Sequence, residues 1–348
     1  MDFLRRVLGL SSNSSAASTE DEITITHDEV QPVAQPEPVI DSPTDEVKDT
    51  PPEEAVRSSA HDTPVVASNF DQAVLAGTRP LPPLETIMPK PGQRVVFGQL
   101  SDVGMVRGNN QDAMLSIVSS GTSSDDLPDF GLFVVADGMG GHHDGEKASA
   151  LTTRMVAQFI ISEIYMSVLQ DQMNDPDRPS IAEVLRMAIQ KANDAVTDAI
   201  PEGGTTVTAA VILGDLAYIA HVGDSRAYMI SDEGIEQITR DHSLVQRLIE
   251  LDQLTHEEAI QHPQRNVLYR AIGQNDSLDV DAITRRLSPR ARLLLCSDGL
   301  WNLVSEDTIS EMINRYNDPQ ETCNQLVKLA NERGGSDNIT VVLIHVPG

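Results

Sequence analysis

The sequence predicts an α+β fold, a four-layer α/β/β/α sandwich in which two antiparallel sheets pack face to face and a helix pair covers each outer side. Three observations lead there. Short apolar segments follow one another in groups instead of alternating singly with helices, which argues against parallel βαβ units. Helical periodicity comes in neighbouring pairs of segments. Four aspartates, Asp137, Asp224, Asp298 and Asp337, stand where strand-like segments end or begin, and two stacked sheets can bring such ends to one rim, where ligand sites collect.

Composition divides the chain near residue 90. Residues 1–90 carry about 16 acidic and 6 basic side chains, hold most of the prolines and show no sustained apolar period. A segment of that kind cannot bury enough apolar surface to offset its ordering entropy, and it reads as a disordered acidic tail. Its first ten residues place Phe3, Leu4, Val7 and Leu8 on one helical face, a frayed terminus or a weak peripheral membrane contact. Ser42-Pro43, Thr50-Pro51 and Thr63-Pro64 offer hydroxyls that can accept phosphate, and ordinary linker composition explains them equally well. Residues 91–348 are enough for one substantial core.

Within that domain, strands are expected at residues 95–100, 113–118, 131–136, 206–213, 217–222, 226–231, 278–287, 292–296 and 339–346, each a short apolar run between turn residues. A helix is expected over 146–169. A second follows over 181–199, where Val184, Leu185, Ala188, Ile189, Ala192 and Val196 keep the spacing of one buried stripe. Two more are expected at 306–316 and 319–333, the last with Cys323, Leu326, Val327 and Ala330 in register.

The formal charge of −28 excludes a nucleic-acid binder, which needs clustered Lys and Arg to displace counterions. Only two cysteines occur, Cys296 and Cys323, without the spacing of a zinc site or redox pair, so both read as buried reduced thiols of a cytoplasmic protein. No run reaches the ~18 apolar residues of a membrane span.

The aspartates carry the chemistry. A carboxylate where a buried strand surfaces is costly, and several converging on one point repel each other unless cations sit between them. Asp-Gly by itself reads as a turn. Yet Asp137-Gly138 is followed by Met139-Gly140-Gly141-His142, and Gly223-Asp224-Ser225-Arg226 sets a charged pair between two apolar runs, more than turn chemistry requires. An oxygen-ligated, multinuclear site for Mg²⁺ or Mn²⁺ is the expectation.

Six ordered motifs carry a resemblance: Arg107-Gly108-Asn109-Asn110-Gln111-Asp112, Asp137-Gly138-Met139-Gly140-Gly141-His142, Gly204-Thr205-Thr206, Gly223-Asp224-Ser225-Arg226, Ser297-Asp298-Gly299-Leu300-Trp301 and Ser336-Asp337-Asn338-Ile339-Thr340. In this set and order the chain resembles the bacterial branch of the metal-dependent protein serine/threonine phosphatases, the PPM or PP2C-type family. The resemblance spans residues 94–346 and leaves out the tail. It implies that Asp137 bridges two metal ions, that the Gly138 carbonyl binds one of them and that Asp298 and Asp337 bind the other. It further implies a third, weaker metal site at Asp224 with Asp298, substrate phosphate on Arg107, and a mobile flap over residues 242–271.

Chemistry makes those implications coherent: two cations about 3.5–4 Å apart lower the pKa of a bridging water and clamp the phosphoryl oxygens, so that hydroxide attacks phosphorus directly. No protein nucleophile is needed. Two positions depart from the family pattern. Met139 stands where many members have a proton-donating His, leaving His142 as a candidate general acid. Gln111 stands where Glu is frequent, which predicts weaker metal binding without loss of activity.

Other residues have plainer expectations. Thr206 and Ser225 are strand-end hydrogen-bonding groups, Trp301 packs beneath the Asp298 loop as core, and Asp279-Val280-Asp281 is the solvent face of an edge strand. The function expected is hydrolysis of phosphoserine and phosphothreonine in proteins, by a monomer that opposes a bacterial Ser/Thr kinase. The alternative is a non-catalytic binding or scaffold protein of the same fold.

Overall fold

The computed structural model describes residues 95–121, 128–139, 144–173, 177–231, 233–288 and 290–345; the acidic tail and His142 lie outside them. Side-chain alternation builds the layers. In β3 (Phe130–Met139), Phe133 and Val135 point into one cluster while Leu132 and Val134 point into another, the period-2 signature of a strand buried on both faces. β5 (Val207–Leu213) and β6 (Leu216–Val222) do the same.

One sheet has the order β2-β3-β5-β6-β9, with the short β4 (Gly204–Thr205) on β3, where β2 is Asp112–Ser119 and β9 is Asp281–Arg286. The other has the order β1-β11-β10-β7-β8: β1 Val96–Asp102, β7 Arg226–Ser231, β8 Gly234–Gln237, β10 Arg292–Cys296 and β11 Ile339–His345. Every pairing is antiparallel. Phe133, Ile212 and Ile219 from the first sheet meet Leu293, Leu295, Val342 and Ile344 from the second in a shared middle layer.

Helices close the two outer faces. α1 (Asp144–Ile160) runs through a π-helical turn (Ile161–Tyr165) into α2 (Met166–Leu169), and with α3 (Ile181–Ala199) it covers the first sheet. Ser180 caps α3 by accepting from Glu183 N–H. On the other face, α6 (Asp298–Trp301), α7 (Glu306–Arg315) and α8 (Pro319–Glu332) pack over Leu294, Cys296, Val341 and Leu343. Asp318 caps α8 ahead of a proline in its first turn. The expected α/β/β/α sandwich is the observed one.

Several details differ from expectation. The first helix starts two residues earlier than expected and is interrupted by the π turn, which apolar spacing does not reveal. The strand expected over 278–287 shortens to β9, whose first residue, Asp281, pairs with Arg270, as does Asp279 just before it. Residues 242–271 contain two short helices, α4 (Leu244–Glu250) and α5 (His256–Ile260), and the segment's ends are joined by a bridge between Ser243 and Leu268. Cys296 and Cys323 are buried free thiols, and burial pushes each up to about 12. Among the described residues no helix is long and apolar enough to cross a membrane.

Candidate active site

Asp137 lies at the end of β3, and the antiparallel register puts Asp112, the first residue of β2, directly opposite. Asp298 opens α6 immediately after β10, Asp337 precedes β11, and Asp224 occupies the turn from β6 to β7. Hydrogen bonds sew the two sheets together at this rim. Ser297 Oγ donates to Asp112 Oδ2 at 2.8 Å, Gln111 N–H donates to Asn338 Oδ1 at 2.8 Å, and Asn338 Nδ2 donates to the carbonyls of Val103 and Asn109 at 2.9 Å. Backbone crowding is severe at Gly138, where a Cβ would fall 2.2 Å from Gly145 O, and at Gly299, where it would fall 2.0 Å from Asn338 O. No other residue fits either place.

Charge is concentrated here, met in part by Arg107 beside Asp337 and by Arg226 near Asp224. Burial raises Asp137 well above the usual carboxylate value, and Asp112, Asp298, Asp224 and Asp337 each add to the rise. Asp298 is raised in the same way, by burial and then by Asp224, Asp337 and Asp112. Burial lifts Asp112 to about 6 and Asp224 to about 7, the latter with Asp241 adding and Arg226 opposing. Asp112 Oδ1 and Asp298 Oδ1 are buried with no hydrogen-bond partner among protein groups. A contact between two of these carboxylates becomes a hydrogen bond only if one carries a proton.

The expected site residues come together, with differences. Asp137, Gly138, Asp224, Asp298 and Asp337 share the rim. Arg107, expected to hold substrate, is half-exposed and donates to Asp337 Oδ2 at 2.7 Å, which raises the guanidinium's own pKa. His142 lies outside the described residues. Thr206 and Ser225 are hydrogen-bonding groups as expected: their hydroxyls meet at 2.7 Å, and Asp137 N–H donates to Thr206 Oγ1 at 2.9 Å. Trp301 packs against the outer core cluster as expected, and does more. It is only partly buried, its Nε1–H donates to Asp224 O at 3.0 Å, and the Arg226 guanidinium stacks on its ring at 3.7 Å.

Asp112 was missed, although it stands at the head of a strand and so carries the same signal that singled out the other four. Also missed was the frame around Asp224. Asp241 accepts two bonds from Arg226, Nη2 at 2.7 Å and Nε at 3.0 Å, and a third from Gln237 at 3.0 Å. His242 clamps the preceding glycine: its N–H donates to Gly223 O at 2.7 Å, and its Nδ1 accepts from Gly223 N–H at 3.1 Å. Burial holds the His242 ring down to about 4, so it is neutral with its proton on Nε2, and its 3.3 Å approach to Asp281 is a neutral N–H···O bond.

A metal-binding rim has to supply hard oxygen donors with spare capacity, and buried, unpartnered carboxylate oxygens fit that demand. Among the described residues, no three His, Cys, Asp or Glu side chains are yet gathered closely enough to enclose a cation. One oxygen of each of three carboxylates is engaged by a neighbouring side chain, Asp337 by Arg107, Asp298 by Asn302 and Asp112 by Ser297.

Comparison with known proteins decides the family. Residues 95–332 match Protein phosphatase 2C. The chain belongs to that family. It is similar to Protein phosphatase PhpP of Streptococcus pneumoniae, 37% identical over 247 residues that cover 70% of this chain and 95% of the relative. The fold is similar to that of the Mycobacterium tuberculosis serine/threonine phosphatase PstP/Ppp, with a TM-score of 0.60 and 33% identity over 73% of this chain and 99% of that one. A structure of the PstP catalytic domain in complex with 2 manganese ions is similar at a TM-score of 0.58 and 32% identity, covering 73% of this chain and 99% of that one. As a Protein phosphatase 2C member the chain is a metal-dependent enzyme, a protein serine/threonine phosphatase, and the scaffold alternative is not favoured.

Proposed function

We propose that this phosphatase removes phosphate from phosphoserine and phosphothreonine in proteins, using two Mn²⁺ or Mg²⁺ ions at the rim, and that it opposes a Ser/Thr kinase in the cytoplasm. The observation that carries the reading is the group of mutually repelling buried carboxylates around Asp137. A chain freed from chemistry has no physical reason to keep them.

Asp137 and the Gly138 carbonyl would hold one cation, Asp137 with Asp298 and Asp337 the other, and Asp224 with Asp298 a third, weaker one. Asp112 joins the set as a buried acceptor beside Asp137. When bound, the ions supply a water of lowered pKa and neutralise charge on the phosphoryl oxygens. The residues do the rest. Arg107 offers its guanidinium to the phosphate, which competes with Asp337 for the same donors and so frees Asp337 as the substrate enters. Asn338 and Ser297 hold the two sheets in register, so that Asp298 and Asp337 from one sheet meet Asp112 and Asp137 from the other. Met139 cannot move a proton, and His142 remains the proposed donor to the leaving oxygen. Residues 242–271 act as a mobile flap rooted by His242, and residues 1–90 are a tail outside the catalytic unit of a monomer.

The test is turnover of p-nitrophenyl phosphate and a phosphothreonine peptide with Mn²⁺, in the full chain, in Asp137→Asn and in a chain lacking residues 1–90. Activity should need metal, vanish in Asp137→Asn and survive truncation with the small substrate. Absence of turnover in the parent, with Asp137→Asn binding Mn²⁺ equally well, would return the scaffold reading.

A further inference from the structure

Large apolar side chains exposed on this surface are unevenly distributed. Val103, Met105 and Val106 are 37%, 70% and 71% exposed, and they follow one another in the connection between β1 and β2, directly before Arg107. In a chain of net charge −28, residues 103–108 carry no acidic group.

The connection is held firmly. Asp102 Oδ1 accepts from Gly104 N–H at 2.8 Å and from Asn331 Nδ2 at 3.0 Å, while Met105 N–H donates to Gly335 O at 2.8 Å. Asn338 Nδ2 holds the Val103 carbonyl. Gly104 takes φ +80° against Asp337 O, a conformation and approach open only to glycine. The backbone is thus fixed to the segment that carries Asp337 and Asn338, while its apolar side chains face outward. On one side Met105 also lines a shallow groove of ≈ 430 Å³ with Leu100 and Val327, bordered by Asp102, Lys328 and Glu332. Rigid, pre-ordered apolar surface beside a catalytic centre is what a binding partner can cover at small entropic cost.

We propose that Met105 and Val106 form an apolar seat for the substrate residue flanking the phosphorylated side chain, so that the enzyme prefers phosphoproteins with an aliphatic neighbour at that position. This rests on Arg107 as the group that holds the phosphate. Spacing supports the match: neighbouring Cα atoms lie about 3.8 Å apart, so a residue one or two places from the phosphoresidue spans the same reach as Val106 and Met105 from Arg107. Acidic neighbours are disfavoured by the charge of the rim, and residues 103–108 offer no carboxylate to pair with a basic one, so apolar contact is what this segment provides.

The test compares kcat/KM with Mn²⁺ for phosphothreonine peptides that differ only in flanking residues, Leu/Val, Ser, Asp or Arg, alongside p-nitrophenyl phosphate. The parent should favour the aliphatic-flanked peptide over the Ser-flanked one by about tenfold, chiefly through KM, as expected when one side chain is buried in both ground and transition states. Met105→Ser/Val106→Ser should erase that preference, and Val106→Thr, which keeps the shape, should erase part of it, while p-nitrophenyl phosphate reports on the catalytic centre in the same preparations. Equal efficiency across peptides in the parent, an Arg-flanked preference, or a preference that survives in the double variant overturns the seat and leaves the phosphatase reading standing. Failure of the parent on every substrate, the small one included, overturns both.

Discussion

Two parts of one rim treat buried negative charge in opposite ways. Asp241, 5% exposed, is matched by Arg226 and Gln237, and both of its oxygens are taken. Asp112, Asp137 and Asp298 crowd together nearby with two oxygens unpartnered. The first arrangement has its countercharge built into the chain. The second leaves room for one from outside. Where a protein completes a buried charge with its own groups it is building a frame, and where it withholds the partner it is building a site.

That contrast is open to attack, most strongly through the site itself. Asp137→Asn and Asp298→Asn should each cut turnover by about a thousandfold or more and weaken Mn²⁺ binding by calorimetry. In metal-free protein the same variants should melt several degrees higher, since an uncompensated buried charge costs about 1–3 kcal/mol or more. A lower metal-free Tm would mean that these carboxylates support the fold, and the contrast would collapse.

Breaking the frame should have the reverse signature. Arg226→Met strands Asp241 as a buried charge without its partner and should cost about 3–5 kcal/mol in denaturant unfolding. It should also weaken the proposed third metal site before the other two, because Trp301 then loses the stacked cation that steadies its bond to Asp224 O.

A smaller effect concerns pH. Asp224 sits at about 7 and Asp112 at about 6, above the unfolded carboxylate value, so the folded state keeps protons that the unfolded chain has released. Stability of metal-free protein from these groups is therefore fully present below the unfolded value of 3.8 and is lost as pH rises from there to about 6 for Asp112 and about 7 for Asp224. His221, held down to about 4 by burial, works the other way, its contribution falling as pH drops from about 6.5 to 4. Denaturation at pH 5 and pH 7.5 separates them: Asp224→Asn should gain more on the parent at the higher pH than at the lower, and saturating Mn²⁺ should cancel that gain. The smallest effect belongs to the exposed pair of Asp279 with Arg270, where Asp279→Ala should change stability by less than about 0.5 kcal/mol.

Much of this was legible in the chain. The stripe of α3 and the grouping of strands gave the four layers, because helical and strand periods are properties of local sequence. Asp137, Asp224, Asp298 and Asp337 announced themselves by ending apolar runs. Asp112 shows the same strand-end signal, but its importance comes from facing Asp137 across a strand pair, and register is settled by packing. Trp301 read as core because a lone tryptophan beside an apolar turn gives no hint that its N–H will find Asp224 O. Asp279 is exposed as expected, whereas Asp281 read as solvated because nothing nearby in sequence announces Arg270 and His242 as its neighbours.

Sequence alone therefore determined the alternation of elements, the acidic character of the chain and the identity of most of the rim carboxylates, all of which follow from residue type and near-neighbour spacing. Tertiary structure decided which carboxylates are left without partners and which are neutralised by Arg226 and its neighbours. That division depends on side chains brought together from strands far apart in the chain, and free energies of buried charge are set by what surrounds them in space.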